Sequence, residues 1–329
     1  MFRPLAALLL WFAFPVSCAV FGEEVPSRIT AKDSAKPWKD DQPDAQQMLD
    51  NVSWPSVNFD VSLALVEGKE FQRLVRYPTP FPSGDATNDL VSMEWYMPKR
   101  PLLQDGPLPT IVVIHESGPA MPAGRAIARG IQQRGLNAIL LHLPYYGERR
   151  GNKKRDASEF LVTMRQGVAD ARRAFDAVAA LPGVDPQKIS LQGTSLGGFV
   201  ATSAASLDAC YHQSFIMLAG GDLYDMFMNG KQDTAKIRQQ LAQAGYEGDK
   251  LKELLNLVEP TRIAHRLPKD RTWVYAALQD DVVPIRNARK LADVIGLDKR
   301  HRLEFVGGHY TAALWLPAVI DHFTKTAAQ

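Results

Sequence analysis

Ser195 stands in the run Gly193-Thr194-Ser195-Leu196-Gly197, with a further glycine at 198. Glycines two before and two after a serine suit a sharp strand-to-helix turn, where the backbone folds back so closely that a side chain at either place would collide. Such a turn presents the serine hydroxyl as a nucleophile. The helix that follows directs N–H groups and positive dipole toward it, so the Leu196 N–H can face a developing oxyanion. A serine hydroxyl attacks poorly at neutral pH unless a base takes its proton, and the base needs a third group to fix its tautomer. The chemistry implied is acyl transfer through Ser195.

The chain has 7 histidines to supply the base. His309 follows Phe305-Val306-Gly307-Gly308, where two glycines let a loop carry an imidazole over the serine turn. His115 and His142 end apolar runs and read as structural. His212, His265 and His301 lie outside any strand-end loop after the serine, and His322 falls on the last helical pattern. The acid is expected at a strand end between Ser195 and His309. Asp280 and Asp281 both follow the apolar run TWVYAAL; Asp280 is preferred as the nearer to the strand end, and Asp281 reads as a cap for the next helix. Tyr145 and Tyr146, in PYYGERR, could line a substrate pocket, and Arg149 or Arg150 could hold a substrate carboxylate. The alternative there is a solvated loop with one tyrosine packed.

The elements that must position these residues can be read from periodicity. FQRLVRY and LVSMEWYMP resemble short antiparallel strands. The runs at 110–115, 137–144, 188–193, 214–221, 272–278 and 302–308 read as buried strands. Helices are expected over 126–135, closed by Gly135, and over about 157–181, where apolar residues recur at spacings of three and four. Strand and helix alternation implies an α/β fold: a mostly parallel sheet covered by helices on both faces. Between 222 and 267 a helical insertion interrupts it, either capping a pocket or forming an outer layer.

The lead-in VDPQKISLQGTSLGG, the acid turn QDDVVP and the loop GGH together resemble the α/β-hydrolase superfamily, over about Phe71 to the C-terminus. Within it the chain is most similar to the branch of dienelactone hydrolases, acetyl xylan esterases and prolyl-oligopeptidase-like hydrolases. The resemblance implies a triad in the chain order Ser195, Asp280, His309, the aspartate standing four residues before Pro284. It also implies a second oxyanion N–H from the loop after His115, on Ser117 or Glu116. Here the chain departs from the superfamily, which usually has glycine after that histidine. A carboxylate at Glu116 would oppose an oxyanion unless turned to solvent or to an arginine.

The rest of the sequence bounds the function. With 38 basic and 36 acidic residues among 329, there is no electrostatic case for nucleic acid or an anionic membrane as partner. Residues 1–19 resemble a cleaved secretory signal whose apolar stretch falls short of the roughly 20 residues a spanning helix needs. Residues 20–70, rich in Pro, Asp, Lys and Ser, read as a linker or N-terminal arm before a hydrolase domain over 71–329. Cys18 and Cys210 are the two cysteines, so no disulfide is expected within the exported domain; a lipid anchor on Cys18 is the alternative to a free secreted or periplasmic form. No metal, nucleotide or other cofactor motif appears. The sequence therefore points to a secreted serine esterase acting on small-molecule or polysaccharide-linked esters, with polysaccharide acyl groups in front because export and the family branch both suit them. A peptidase of the prolyl-oligopeptidase-like type, or a non-catalytic binding protein on the same scaffold, stands as alternative.

Overall fold

The computed structural model describes residues 27–100, 106–151 and 159–329. In chain order these carry β1 (Arg28–Ala31), α1 (Pro43–Asn51), β2 (Phe59–Leu65), β3 (Arg73–Pro78), α2 (Ala86–Asp89), β4 (Leu90–Tyr96), β5 (Leu108–Ile114), α3 (Pro122–Gln133) and β6 (Asn137–Leu141). They continue with α4 (Phe160–Ala179), β7 (Val184–Thr194), α5 (Leu196–Ser206), β8 (Ser214–Met217), α6 (Leu223–Asn229), α7 (Gln232–Gln243) and α8 (Gly248–Asn256). The last elements are β9 (Thr272–Ala277), α9 (Ile285–Ile295), β10 (Arg302–Phe305) and α10 (Leu316–Ala327).

Among the described residues the strands form one sheet in the order β1-β2-β3-β4-β6-β5-β7-β8-β9-β10. β1 to β4 are antiparallel, as is the β4/β6 pair, whereas β6 through β10 run parallel. This is the α/β-hydrolase arrangement. The central parallel strands are buried on both faces, which is why β5 reads LPTIVVI with every residue buried; β10, expected as a buried strand, is instead the sheet edge, where of its residues Phe305 alone is buried. Alternate side chains divide the core: Ile111 and Val113 pack with α3 and α10, while Val112 and Ile114 face α4 and α5.

Residues 27–65 depart from the expected linker or arm. β1 and β2 extend the sheet, and Ala31, Trp38, Met48, Leu49, Phe59 and Val61 belong to the core that covers α4. Ion pairing fixes the attachment: buried Asp33 meets Arg173 at 2.6 Å, and the Ser34 hydroxyl donates to Asp176 at 2.5 Å. α3 also starts earlier than its apolar period, because Pro122 supplies the first helical residue with its φ already set. α4 covers Phe160–Ala179 of the expected 157–181, and the first two of those positions lie outside the described residues. The leader expected at 1–19, Cys18 included, lies outside them as well. No helix among the described residues is long and apolar enough to cross a membrane.

Candidate active site

β7 runs straight into α5, and Ser195 is the residue at the bend, with φ 51° and ψ −117°. That positive φ is strained for a residue with a side chain and persists only where the surroundings fix it. Here they do. A Cβ on Gly193 would lie 2.2 Å from the Gly197 carbonyl oxygen, and one on Gly197 would lie 2.2 Å from that of Ile114. The Ser195 N–H is spent on the Met217 carbonyl at 2.9 Å, whereas Leu196, as first helical residue, has no intrahelical acceptor for its own.

β9 delivers Asp280 and the segment after β10 delivers His309. One Asp280 oxygen accepts the N–H groups of Val282 and Val283 at 2.9 and 2.8 Å. The other accepts from His309 Nδ1 at 2.7 Å. A carboxylate only accepts, so Nδ1 carries the proton and Nε2 offers its lone pair. Nε2 lies 3.0 Å from Ser195 Oγ. The structure thus joins the three residues singled out in the sequence into one hydrogen-bonded chain. Asp281 is elsewhere: its carboxylate takes the Gln232 amide at 3.1 Å and does not cap α9, whose start has no side-chain cap.

Residues that sequence reasoning missed fasten this chain. Gln279 pairs through its backbone N–H and side-chain oxygen with Gly307, and Thr311 Oγ1 accepts the Gly308 N–H at 2.8 Å. The Tyr310 hydroxyl donates to Asp233 at the start of α7, at 2.9 Å. Burial and that bond push the hydroxyl's pKa up to about 12. The insertion over 222–267 therefore touches the site, and of its two readings the capping one describes α7.

A cavity of about 1160 Å³ opens over Ser195 and His309. Its inner wall includes Thr163 and Met164 of α4, Leu241 of α7, and Met217 and Leu218 at the end of β8, while Lys236, Gln240 and Gln243 stand exposed at the rim. A period-four apolar pair, Ile237 and Leu241, was the sequence signal for this wall. Ser117 and Tyr146 line the cavity; Tyr145 does not. Tyr145 has φ 66° and is buried, its N–H held by Asn88 at 2.9 Å, so a chain reversal turns it away from its neighbour. Arg149 cannot hold a substrate carboxylate either, because it is fully buried in an ion pair with Asp170 at 2.8 Å.

The loop after His115 is held on both sides. Leu143 N–H donates to His115 Nε2 at 3.1 Å, so Nδ1 carries the hydrogen and donates to the Glu116 carbonyl at 2.6 Å. Burial pushes this imidazole down to a pKa of about 3, keeping it neutral. Glu116, half-buried at the cavity wall, turns its carboxylate to the start of α3, where it accepts the N–H groups of Ala123 and Gly124 at 2.9 and 3.0 Å. His142 is likewise structural, bonded to Glu94 at 3.1 Å. Among the described residues no group of three or more His, Cys, Asp or Glu could hold a metal ion.

The family model described as alpha/beta hydrolase domain containing 18 matches residues 91–299. The chain belongs to that family. The match includes Ser195 and Asp280 and ends before His309. A search of curated protein sequences gave no significant match. Among solved structures, the acetyl xylan esterase from Paenibacillus sp. R4 is similar at TM-score 0.62 and 17% identity, over 88% of this chain and 97% of that one. Acetyl xylan esterase 1 from Thermoanaerobacterium sp. JW/SL YS485 follows at 0.59 and 13%, over 88% and 96%. A Mycobacterium tuberculosis puromycin-hydrolyzing peptidase gives 0.55 and 15%, over 82% of this chain but 46% of that one. At such identities these likenesses establish the shared fold and no more.

Proposed function

We propose that this member of the family is an exported serine carboxylesterase that works through an acyl-enzyme. The observation that carries the reading is the unbroken chain from Asp280 through His309 to Ser195 Oγ, at 2.7 and 3.0 Å, on the floor of a cavity. Ser195 Oγ attacks the ester carbonyl as His309 Nε2 takes its proton. The carbonyl oxygen becomes an oxyanion facing the N–H groups of Leu196 and Ser117. His309 returns the proton to the departing alkoxide, then deprotonates a water that attacks the acyl-enzyme. Asp280 stabilises the imidazolium in both halves. Proton transfer of this kind contributes about 10²- to 10⁴-fold, and one oxyanion donor about 10²- to 10³-fold.

The inner wall of the cavity is largely apolar, with charged and amide side chains at its rim. Such a wall favours a small-molecule ester with an apolar buried portion over a polysaccharide-linked one, because sugar hydroxyls brought there would lose their hydrogen bonds. Export rests on the leader-like residues 1–19. The peptidase alternative has less support, as does the non-catalytic one, whose single ground was a carboxylate at Glu116 that α3 now occupies. Hydrolysis of p-nitrophenyl butyrate against aminoacyl p-nitroanilides tests the reading: ester turnover, lost in Ser195→Ala, is expected. Anilide turnover exceeding ester turnover would replace it with the peptidase.

A further inference from the structure

Each oxygen of the Glu116 carboxylate accepts one backbone N–H from the start of α3. We infer that Glu116 is a positioning residue that presets the Ser117 N–H as the second oxyanion donor. This rests on the serine esterase reading above. One attachment lies on the Glu116–Ser117 peptide itself and two flank it. The Glu116 side chain spans to the first turn of α3, where the N–H groups of Ala123 and Gly124 are the orphan donors of a helix start. The Glu116 carbonyl accepts from His115 Nδ1, and the Ser117 carbonyl accepts from the Tyr146 hydroxyl at 3.0 Å. In a trans peptide the N–H points opposite to the C=O, so fixing the Glu116 carbonyl against the His115 ring fixes where the Ser117 N–H points.

Each anchor is itself held. α3 approaches so closely that a Cβ on Gly124 would lie 2.7 Å from the His115 Cβ. Arg125 on the same helix meets buried Glu94 at 2.6 Å. Burial alone would raise the Glu94 carboxyl, but hydrogen bonds from His142 and Arg125 outweigh it and hold its pKa at about 2. The Met121 N–H closes the loop onto the Gly118 carbonyl at 3.0 Å. The Glu116 negative charge sits at the positive end of α3, which offsets its repulsion of an oxyanion.

The test is steady-state kinetics of Glu116→Ala and Glu116→Gln on p-nitrophenyl butyrate, alongside inhibition by an alkyl trifluoromethyl ketone and by its methyl ketone counterpart. The trifluoromethyl ketone adds to Ser195 and places an oxyanion between the two donors; the methyl ketone binds without doing so to the same extent. Glu116→Ala is expected to lose about 100-fold in kcat with KM within about threefold, the loss that follows a displacement of about 1 Å in a catalytic group. The trifluoromethyl ketone Ki should rise by the same factor as kcat/KM falls, with the methyl ketone Ki unmoved. Glu116→Gln keeps one acceptor and should show the same parallel, smaller than about tenfold; it is the variant to read if Glu116→Ala does not fold. Wild-type kcat in either variant, or a fall in kcat with the trifluoromethyl ketone Ki unchanged, overturns the inference. If instead the wild type is inert to esters and indistinguishable from Ser195→Ala, the esterase reading itself has failed.

Discussion

Replacing Asp280 by asparagine should silence the site through the tautomer of His309, and the surrounding backbone says which way the new amide must face. One Asp280 oxygen accepts two N–H groups, from Val282 and Val283, and the other faces His309 Nδ1 at 2.7 Å. An asparagine keeps its oxygen on the two backbone donors, since the reverse orientation would oppose NH₂ to both and lose two hydrogen bonds. Its NH₂ then points at Nδ1, which must become the acceptor. The proton moves to Nε2, 3.0 Å from Ser195 Oγ, where a lone pair is required. The same substitution in a serine protease triad lowers kcat by about 10⁴, or about 5.5 kcal/mol of barrier, and that is the loss expected here. The assay is kcat on p-nitrophenyl butyrate for Asp280→Asn, with Asp281→Asn as control, since Asp281 faces Gln232. Asp281→Asn should stay within about threefold, because its part-exposed carboxylate bonds Gln232 and not His309. An Asp280→Asn enzyme retaining a tenth of wild-type kcat would refute the reasoning.

Gly197→Ala would set a Cβ 2.2 Å from the Ile114 carbonyl oxygen; backbone on both sides leaves nowhere to move, so loss of soluble folded protein, or a drop of several degrees in Tm with no esterase activity, is expected by thermal melting. Stability should also fall on acidification below about pH 6.5. His115 has its folded pKa lowered to about 3 from 6.5, so the unfolded chain binds a proton that the folded one refuses between those values, and stability rises with pH across that window. The slope from this residue approaches 1.4 kcal/mol per pH unit. Urea titrations at pH 7, 6, 5 and 4 check it: His115→Asn, which takes up no proton there, should start lower and fall less steeply, and equal slopes would contradict the assignment.

What the sequence disclosed is what local chemistry dictates. The bend at Ser195 needs Gly193 and Gly197 whatever the rest of the molecule does, and buried parallel strands announce themselves as apolar runs, so β5, β7 and the elbow could be read directly. The N-terminal segment could not be read from composition. β2 does alternate, with Phe59, Val61 and Leu63 buried, but its polar flanks conceal it, and β1 has four residues. Both owe their place to partners far along the chain, such as Arg173 and Asp176. Tyr145 and Tyr146 looked equivalent until a positive φ separated them. Glu116 looked like an obstacle because the N–H donors on α3 that its carboxylate accepts from are set by packing at Gly124, a tertiary contact with no signature in the local sequence.

The central claim, that Ser195 is a nucleophile activated by His309, is tested most directly by labelling the folded protein with a fluorophosphonate and mapping the adduct by mass spectrometry. The account predicts one stoichiometric adduct on Ser195, abolished in Ser195→Ala and slowed in Asp280→Asn. A wild-type protein that stays unlabelled, or carries the adduct on another residue, would contradict it.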